Sequence, residues 1–396
     1  MGLLHFGGDR RSERMIATSQ HQKRIQSLQK RESPQYSRWN GPDRRSQEPA
    51  CINWFTHKVL QRATGNFALR NRIGEGQNGS VFHGRLSDND VADIAVKKFK
   101  SKSADPMQSV LAEVRVHRLL SKYAQPDVRH LLGVSFDPKE PLIVYEFMPK
   151  GSLRQHLQGK RGTYLHSDAY ARLAVAIDVA NALCELHYNC QYPIFHRDVK
   201  SSNVLLNSDY HAKLSDLGIA VVIKQESDLH TPVALGAFGY KDPVYEQSGK
   251  LDDKTDVYSF GVLLMELATH LPAWDTKRPV TLLSHLVLER MERGKIDQII
   301  QPGSVVGGMA LMKEVLQVAK QCCCLELEKR PRMDQVAAFL VNLRSYFLQE
   351  QKRLAAEQEP EVHKKERFDC ALVPQFPNRV FYRGKWVVPR GEIDAY

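Results

Sequence analysis

Cysteine is scarce and badly placed for cross-linking. The 396-residue chain has seven, Cys51, Cys184, Cys190, Cys322, Cys323, Cys324 and Cys370, and three of them are adjacent. An odd number without paired Cys/His spacing makes neither a disulfide framework nor a zinc site. A reducing compartment, cytoplasmic or nuclear, is the expectation. Long apolar runs are missing too: no stretch reaches the ~18 residues that a membrane-crossing helix needs. The best, 260–271, is short and contains Glu266. The N-terminus lacks the apolar core of a signal peptide, and Phe6 stands where a myristoylation signal needs Ser or Thr. The last residues, Asp394-Ala395-Tyr396, match no prenylation or retention signal. No repeat recurs at a fixed period.

Acidic residues are outnumbered. Lys and Arg total 56 against 45 Asp and Glu, a net charge of +11. Residues 1–50 hold 10 of the basic residues and 5 of the acidic ones, so about +5 of the excess lies there. Rich in Arg, Gln and Ser and without periodicity, residues 1–53 are expected to be a disordered basic leader. Such an arm can reach an anionic membrane face, which adds a membrane-peripheral location to the expectation; no specific nucleic acid is expected.

The remainder is ordinary for a globular protein, 42% hydrophobic and 26% charged, and long enough for about two domain-sized cores. A short helix is expected over 54–66. Apolar alternation then predicts strands over 69–73, 81–85, 91–99, 131–136 and 142–147, with a helix over 106–122 between the third and fourth. After Pro149-Lys150-Gly151 the pattern turns helical: 169–188, 257–269, 282–293, 311–325 and 333–347, with two short strands near 204–206 and 212–214. A small β-rich lobe over 67–148 therefore precedes a larger helical lobe over 149–349, with a hinge near 147–151. Ligands often sit between two such bodies. Residues 350–396 form a charged and apolar tail.

Four polar constellations stand out. His196-Arg197-Asp198-Val199-Lys200-Ser201-Ser202-Asn203 places a carboxylate, a lysine and an amide on one short polar loop. Those are the parts for accepting a hydroxyl proton, steadying a phosphate and holding a metal ion. Gly74-Glu75-Gly76-Gln77-Asn78-Gly79-Ser80-Val81 is a glycine-rich run followed by a strand rather than a helix. It suits a hairpin whose backbone N–H groups lie over phosphates. Ile94-Ala95-Val96-Lys97 ends an apolar strand on a lysine, which is costly to bury unless paired; Glu113 on the next helix is the expected partner. Asp216-Leu217-Gly218 follows Asn203 by 13 residues, and two oxygen donors so placed suit Mg²⁺.

With these motifs in this order, the chain resembles a eukaryotic protein kinase over about 66–347. Asp256-Val257-Tyr258-Ser259-Phe260-Gly261 and Arg330-Pro331 match that family's helical-lobe landmarks. Within it, 55–67, 142–153 and Gly239-Tyr240-Lys241-Asp242-Pro243 are similar to the plant receptor-like and Toll-pathway serine/threonine kinases. The resemblance implies an α+β, bilobal fold, with one main helix in the small lobe. It implies phosphoryl transfer from ATP and Mg²⁺ to Ser/Thr hydroxyls of a protein substrate, under an upstream receptor or activating kinase. Asp198 would be the catalytic base and Lys200 would neutralise the γ-phosphate. Ile73, Gly74, Glu75, Gly76, Gln77, Asn78, Gly79, Ser80, Val81, Ala95, Lys97 and Glu113 would hold the nucleotide. Glu146 and Met148 would meet adenine through their backbone, behind the gatekeeper Tyr145. Asn203 and Asp216 would hold the metal.

Departures from the family pattern accompany the likeness. Leu217 replaces Phe and His117 replaces an apolar residue. Ala237 stands where a Thr contacts the catalytic loop. Val244 stands where a Glu pairs a buried arginine, here Arg330, with Glu246 as the nearest substitute. Ala237 and Val244 leave a nucleotide-binding pseudokinase scaffold as the alternative. Ser227 and Thr231 are expected phosphorylation sites that Arg197 would receive.

Overall fold

A computed structural model describes residues 52–76, 79–86, 92–100, 106–121, 123, 126–137, 140–162, 164–231, 233–358, 380–382 and 385–387. The leader up to Cys51, most of the tail, and the expected ligand residues Gln77 and Asn78 lie outside them. The described residues up to Leu348 form one compact unit, and those from Gln349 onward form a second.

The amino-terminal half of the first unit is built on a six-stranded sheet, ordered β1-β5-β6-β4-β3-β2. Its members are β1 (Asn53–Trp54), β2 (Arg72–Glu75), β3 (Gly79–Leu86), β4 (Ala92–Phe99), β5 (Leu131–Ser135) and β6 (Leu142–Glu146). Strand alternation sorts the apolar residues to two faces. Ile94, Val96, Leu142 and Val144 pack with Leu60 of helix α1 (His57–Ala63) on one face. Ile143, Tyr145 and Val134 pack with Val110 and Val114 of helix α2 (Pro106–Leu120) on the other. The same alternation turns Lys97 away from the α1 face and toward α2.

Two expectations need correction here. The helix expected over 54–66 is shorter and begins later. Phe55 N–H donates to Val134 O at 2.9 Å, so the chain belongs to the sheet until Thr56 caps α1. Asn53 and Trp54 form a parallel edge strand that pairs with β5 at Gly133 and Val134. Position 133 has to be glycine, because a Cβ there would lie 2.4 Å from Asn53 O. The strand expected over 69–73 opens with a 3-10 turn, Leu69–Asn71, and is extended only from Arg72.

Beyond the hinge the chain is helical. Short segments β7 (Gly151–Ser152), α3 (Leu153–Leu157) and α4 (Tyr164–Ser167) lead to α5 (Ala169–Cys184), which closes on a wider turn to Asn189. Strands β8 (Ile194–Phe195), β9 (Val204–Leu206), β10 (Ala212–Leu214) and β11 (Val221–Val222) carry the polar loops. Helices α6 (Pro243–Ser248), α7 (Asp253–Thr269), α8 (Leu283–Glu292), α9 (Gly308–Cys322) and α10 (Met333–Gln358) follow. Helix α7 is buried along nearly its whole length between α5 and α9, its buried Asp256 and Glu266 included. The fold is thus α+β: a β-rich lobe with one main helix, then a helical lobe.

Candidate active site

Two carboxylates fix the site's frame. Asp256, at the start of α7, accepts from the backbone N–H groups of His196 and Arg197 at 2.7 and 2.8 Å and from His187 Nε2 at 2.8 Å. Burial alone would raise its pKa, but the His187 contact and these donors hold it below the usual carboxylate value. A carboxylate kept ionised at the base of the loop holds the polar segment in one conformation. Arg197 is left-handed at φ 66°, a strained geometry for a side-chain-bearing residue that persists only where neighbours enforce it.

Asp198 follows. Lys200 Nζ donates to its Oδ2 at 2.6 Å, and Asn203 Nδ2 donates to Oδ2 and to its carbonyl, both at 2.9 Å. The amide's nitrogen is thus spent on Asp198, which leaves its oxygen as the atom a cation would take. Antiparallel pairing of β9 with β10 sets Val204 opposite Leu214. Ser215 then donates through N–H and Oγ to Asn203 O, each at 2.8 Å. The next residue is Asp216, also left-handed, at φ 67°. The hairpin therefore delivers Asn203 and Asp216 to the same end, and two hard oxygen donors are what Mg²⁺ accepts alongside phosphate oxygens and water.

Lys97 closes the site from above. Its Nζ lies 2.7 Å from Asp216 Oδ1 and 3.6 Å from Glu113 Oε2. Burial opposes its charge, but the two carboxylates outweigh that and raise its pKa, so it stays an ammonium. Asp216 is held low by the same lysine against the opposing effect of burial. Glu113 shifts upward, chiefly through burial. Its Oε1 accepts from the Tyr145 hydroxyl, while Oε2 has no hydrogen bond. The glycine hairpin lies beside this lysine, with Val81 paired to Lys97 across β3 and β4. Ile73, Gly74 and Glu75 lie on β2, Gly76 N–H donates to Gly79 O at 2.8 Å, and Ser80 and Val81 follow on β3. A Cβ at Gly79 would lie 2.3 Å from Lys98 O, so only glycine lets these strands approach. Ala95 is fully buried on the same strand as Lys97.

The predicted residues Lys97, Glu113, Asp198, Lys200, Asn203 and Asp216 thus form one connected region at the junction of the two lobes. Glu146, at the end of β6, spends its carboxylate on Lys213 Nζ at 2.8 and 2.9 Å, leaving only its backbone for a base. That carbonyl is not free: Arg129 donates to it through Nη2 at 3.0 Å and Nε at 3.3 Å. Met148 O accepts from Gly151 N–H at 3.0 Å.

A family model described as protein tyrosine and serine/threonine kinase matches residues 67–340. The chain belongs to the protein kinase family. Its relatives place it in the plant receptor-like group. It is 34% identical to wall-associated receptor kinase-like 14 of Arabidopsis thaliana over 301 residues, 74% of this chain and 42% of that protein. It is 35% identical to wall-associated receptor kinase 1 of the same plant over 319 residues, 78% of this chain and 41% of that protein. Wall-associated receptor kinase-like 10 is 36% identical over 297 residues, 74% of this chain and 38% of that protein. The chain therefore spans about two fifths of the length of these relatives. Among the described residues, no helix is long and apolar enough to cross a membrane.

One departure from the kinase pattern resolves differently from expectation. Glu246 does not replace the partner missing at Val244; it pairs with Lys241 at 3.1 Å near the surface. Arg330 is instead gripped by Asp242, Nη1 to Oδ2 at 2.6 Å and Nη2 to Oδ1 at 2.8 Å, with both side chains buried. A shorter carboxylate two residues earlier reaches the guanidinium because Asp242 is the N-cap of α6 and points inward. Its identity as the partner was missed; the only sequence signal was an Asp immediately before Pro243, a helix-start signature. Tyr145 as a hydrogen-bond partner of Glu113, and Arg129 at the hinge, carried no signal in the motifs.

Proposed function

We propose that this kinase domain transfers the γ-phosphoryl group of ATP-Mg to Ser or Thr hydroxyls of a protein substrate in signalling. The observation that carries the reading is Lys200 Nζ at 2.6 Å from Asp198 Oδ2, with Asn203 on the same carboxylate oxygen. Asp198 is the group that orients the acceptor hydroxyl and takes its proton. Lys200 stands beside it to offset the negative charge that gathers on the moving phosphoryl. Lys97, fixed by Asp216 and Glu113, binds the α- and β-phosphates. The two strands of the glycine hairpin, Ile73 to Gly76 and Gly79 to Val81, cover them, Gln77 and Asn78 are proposed as further nucleotide contacts, and Ala95 packs on the base. Asn203 and Asp216 would hold Mg²⁺, which would supply positive charge to offset that of the phosphates.

The activation segment fits regulation by phosphate. Thr231 Oγ1 lies 2.8 Å from the Tyr245 hydroxyl, which in turn accepts from Arg197 Nη1 at 3.4 Å. Ser227 sits exposed on a 3-10 turn, Glu226–Leu229. A phosphate on Thr231 would lie next to the arginine that precedes the catalytic base. A cytoplasmic or membrane-peripheral location, and an upstream receptor or activating kinase, belong to the same reading.

Ala237 favours a second reading, a nucleotide-binding scaffold with little turnover, because it brings no hydroxyl to the catalytic loop. One experiment separates the two. The full chain is incubated with labelled ATP-Mg and a generic acceptor protein, and the phosphoamino acids are resolved. Phosphoserine or phosphothreonine is expected. Phosphotyrosine alone overturns the specificity, and nucleotide binding without label in any product supports the scaffold.

A further inference from the structure

Arg129 is the strangest side chain in the cleft. Its backbone is fastened to the strand that leads to Asp216, with Arg129 N–H on Leu214 O at 2.9 Å. Its side chain crosses to the hinge, stacks on the Tyr145 ring with 4.4 Å from Cζ to the centroid, and ends on Glu146 O. It is 8% exposed, yet among the described residues it forms no ion pair, and Glu146, Glu113 and Asp216 act on it only at longer range. Two of its nitrogens are used on that one carbonyl, while Nη1 makes no hydrogen bond to a described residue. A buried guanidinium held by a single backbone oxygen is an unusual expense for a fold to carry in its core.

The consequence follows from what that oxygen would otherwise do. This inference rests on the kinase reading above, with Glu146 meeting the base through its backbone as the resemblance implies, so that Glu146 O faces the purine edge. A bare carbonyl is an acceptor: it attracts the exocyclic amine of adenine and repels a carbonyl placed at the same position. Such a site tells the two apart because a mismatched base leaves a buried polar group unpaired. Covering the acceptor with a cation reverses the local preference. The amine finds its partner occupied, and an oxo group meets the guanidinium instead.

We propose that Arg129 sets the base specificity of the nucleotide pocket, removing the usual advantage of a 6-amino purine over a 6-oxo purine. Nucleoside triphosphates carrying a 6-oxo group, such as those of inosine and guanosine, then bind as well as ATP does.

The test compares equilibrium binding of ATP-Mg and ITP-Mg to the full-length chain and to two variants. Arg129→Val removes the guanidinium and its bulk; Arg129→Met keeps a long side chain without donors and serves if the first variant does not fold. Wild type is expected to bind the two nucleotides with a ratio near one. Each variant is expected to shift that ratio toward ATP by about tenfold, the worth of one hydrogen bond regained at the carbonyl. An unchanged ratio in a folded variant, or a wild type that already favours ATP by about tenfold or more, overturns the assignment. A wild type that binds neither nucleotide overturns the pocket and this inference together. A chain that binds both but transfers no phosphate contradicts only the phosphotransfer reading, because no turnover enters this measurement.

Discussion

Removing the carboxylate of Asp242 is expected to destabilise the helical lobe severely, although the residue touches no catalytic group. Arg330 has 0% and Asp242 1% side-chain exposure, and they share two hydrogen bonds of 2.6 and 2.8 Å. Asp242→Asn keeps the shape and removes the charge. The guanidinium remains buried, with the one amide oxygen of the new Asn and the carbonyls of Cys324 and Lys254 to accept from it, while the amide nitrogen now turns a donor toward it. Breaking one side of a buried pair costs roughly 3–5 kcal/mol, and the remaining acceptor oxygens place this case at the lower end, about 3 kcal/mol. At roughly 2–4 °C per kcal/mol for a domain of this size, the midpoint should fall by about 6–12 °C. The control is Glu246→Gln, which breaks an ion pair whose glutamate is 55% exposed. That change should cost under about 1 kcal/mol. Thermal unfolding and urea titration of the three proteins make the comparison. A second check is Asp242→Leu combined with Arg330→Met, which should recover part of the loss by removing the stranded charge. If Asp242→Asn unfolds within about 0.5 kcal/mol of wild type while Glu246→Gln loses more, the partner assignment is wrong.

Two further outcomes are expected. Tyr145→Phe leaves both oxygens of the buried Glu113 without a hydrogen bond, and should lower stability by about 1–3 kcal/mol in urea unfolding; an unchanged midpoint would refute the contact. Glu185 is a largely buried carboxyl, with Oε2 unpartnered, and burial together with nearby Asp127 pushes its pKa from 4.5 up to about 8. The folded state therefore binds its proton more tightly than the unfolded state. Its stability contribution is intact below about pH 4.5 and is lost as the pH rises toward about 8. Glu185→Gln should match wild type at pH 5 and exceed it at pH 8 by about 2 kcal/mol, a linkage figure discounted for partial exposure. Equal stability at both pH values would contradict this.

The division into a β-rich and a helical lobe was legible because strand alternation and helical periodicity differ over long stretches. The region around Lys97, Asp198 and Asp216 was legible because its chemistry demands fixed residue types at fixed places. What escaped reading depends on distances between elements remote in sequence. Nothing near Arg129 shows that its side chain ends on Glu146 O, since Val128 is bridged to Leu214 only in the fold. Asp242 carried no signal as the partner of Arg330 because the family pattern places that carboxylate at the position of Val244. The short α1 and its preceding edge strand were blurred into one helix because two residues carry too little periodicity. The strand exists only by virtue of its partner at Gly133 and Val134.

The central claim is that Asp198, steadied by Lys200 and Asn203, takes the proton from an attacking hydroxyl. Label transfer from ATP-Mg to a generic protein acceptor, measured for wild type beside Asp198→Asn, tests it most directly. The account predicts incorporation by wild type and a loss of about 10²–10⁴-fold in the variant. Equal incorporation by the two proteins would contradict it.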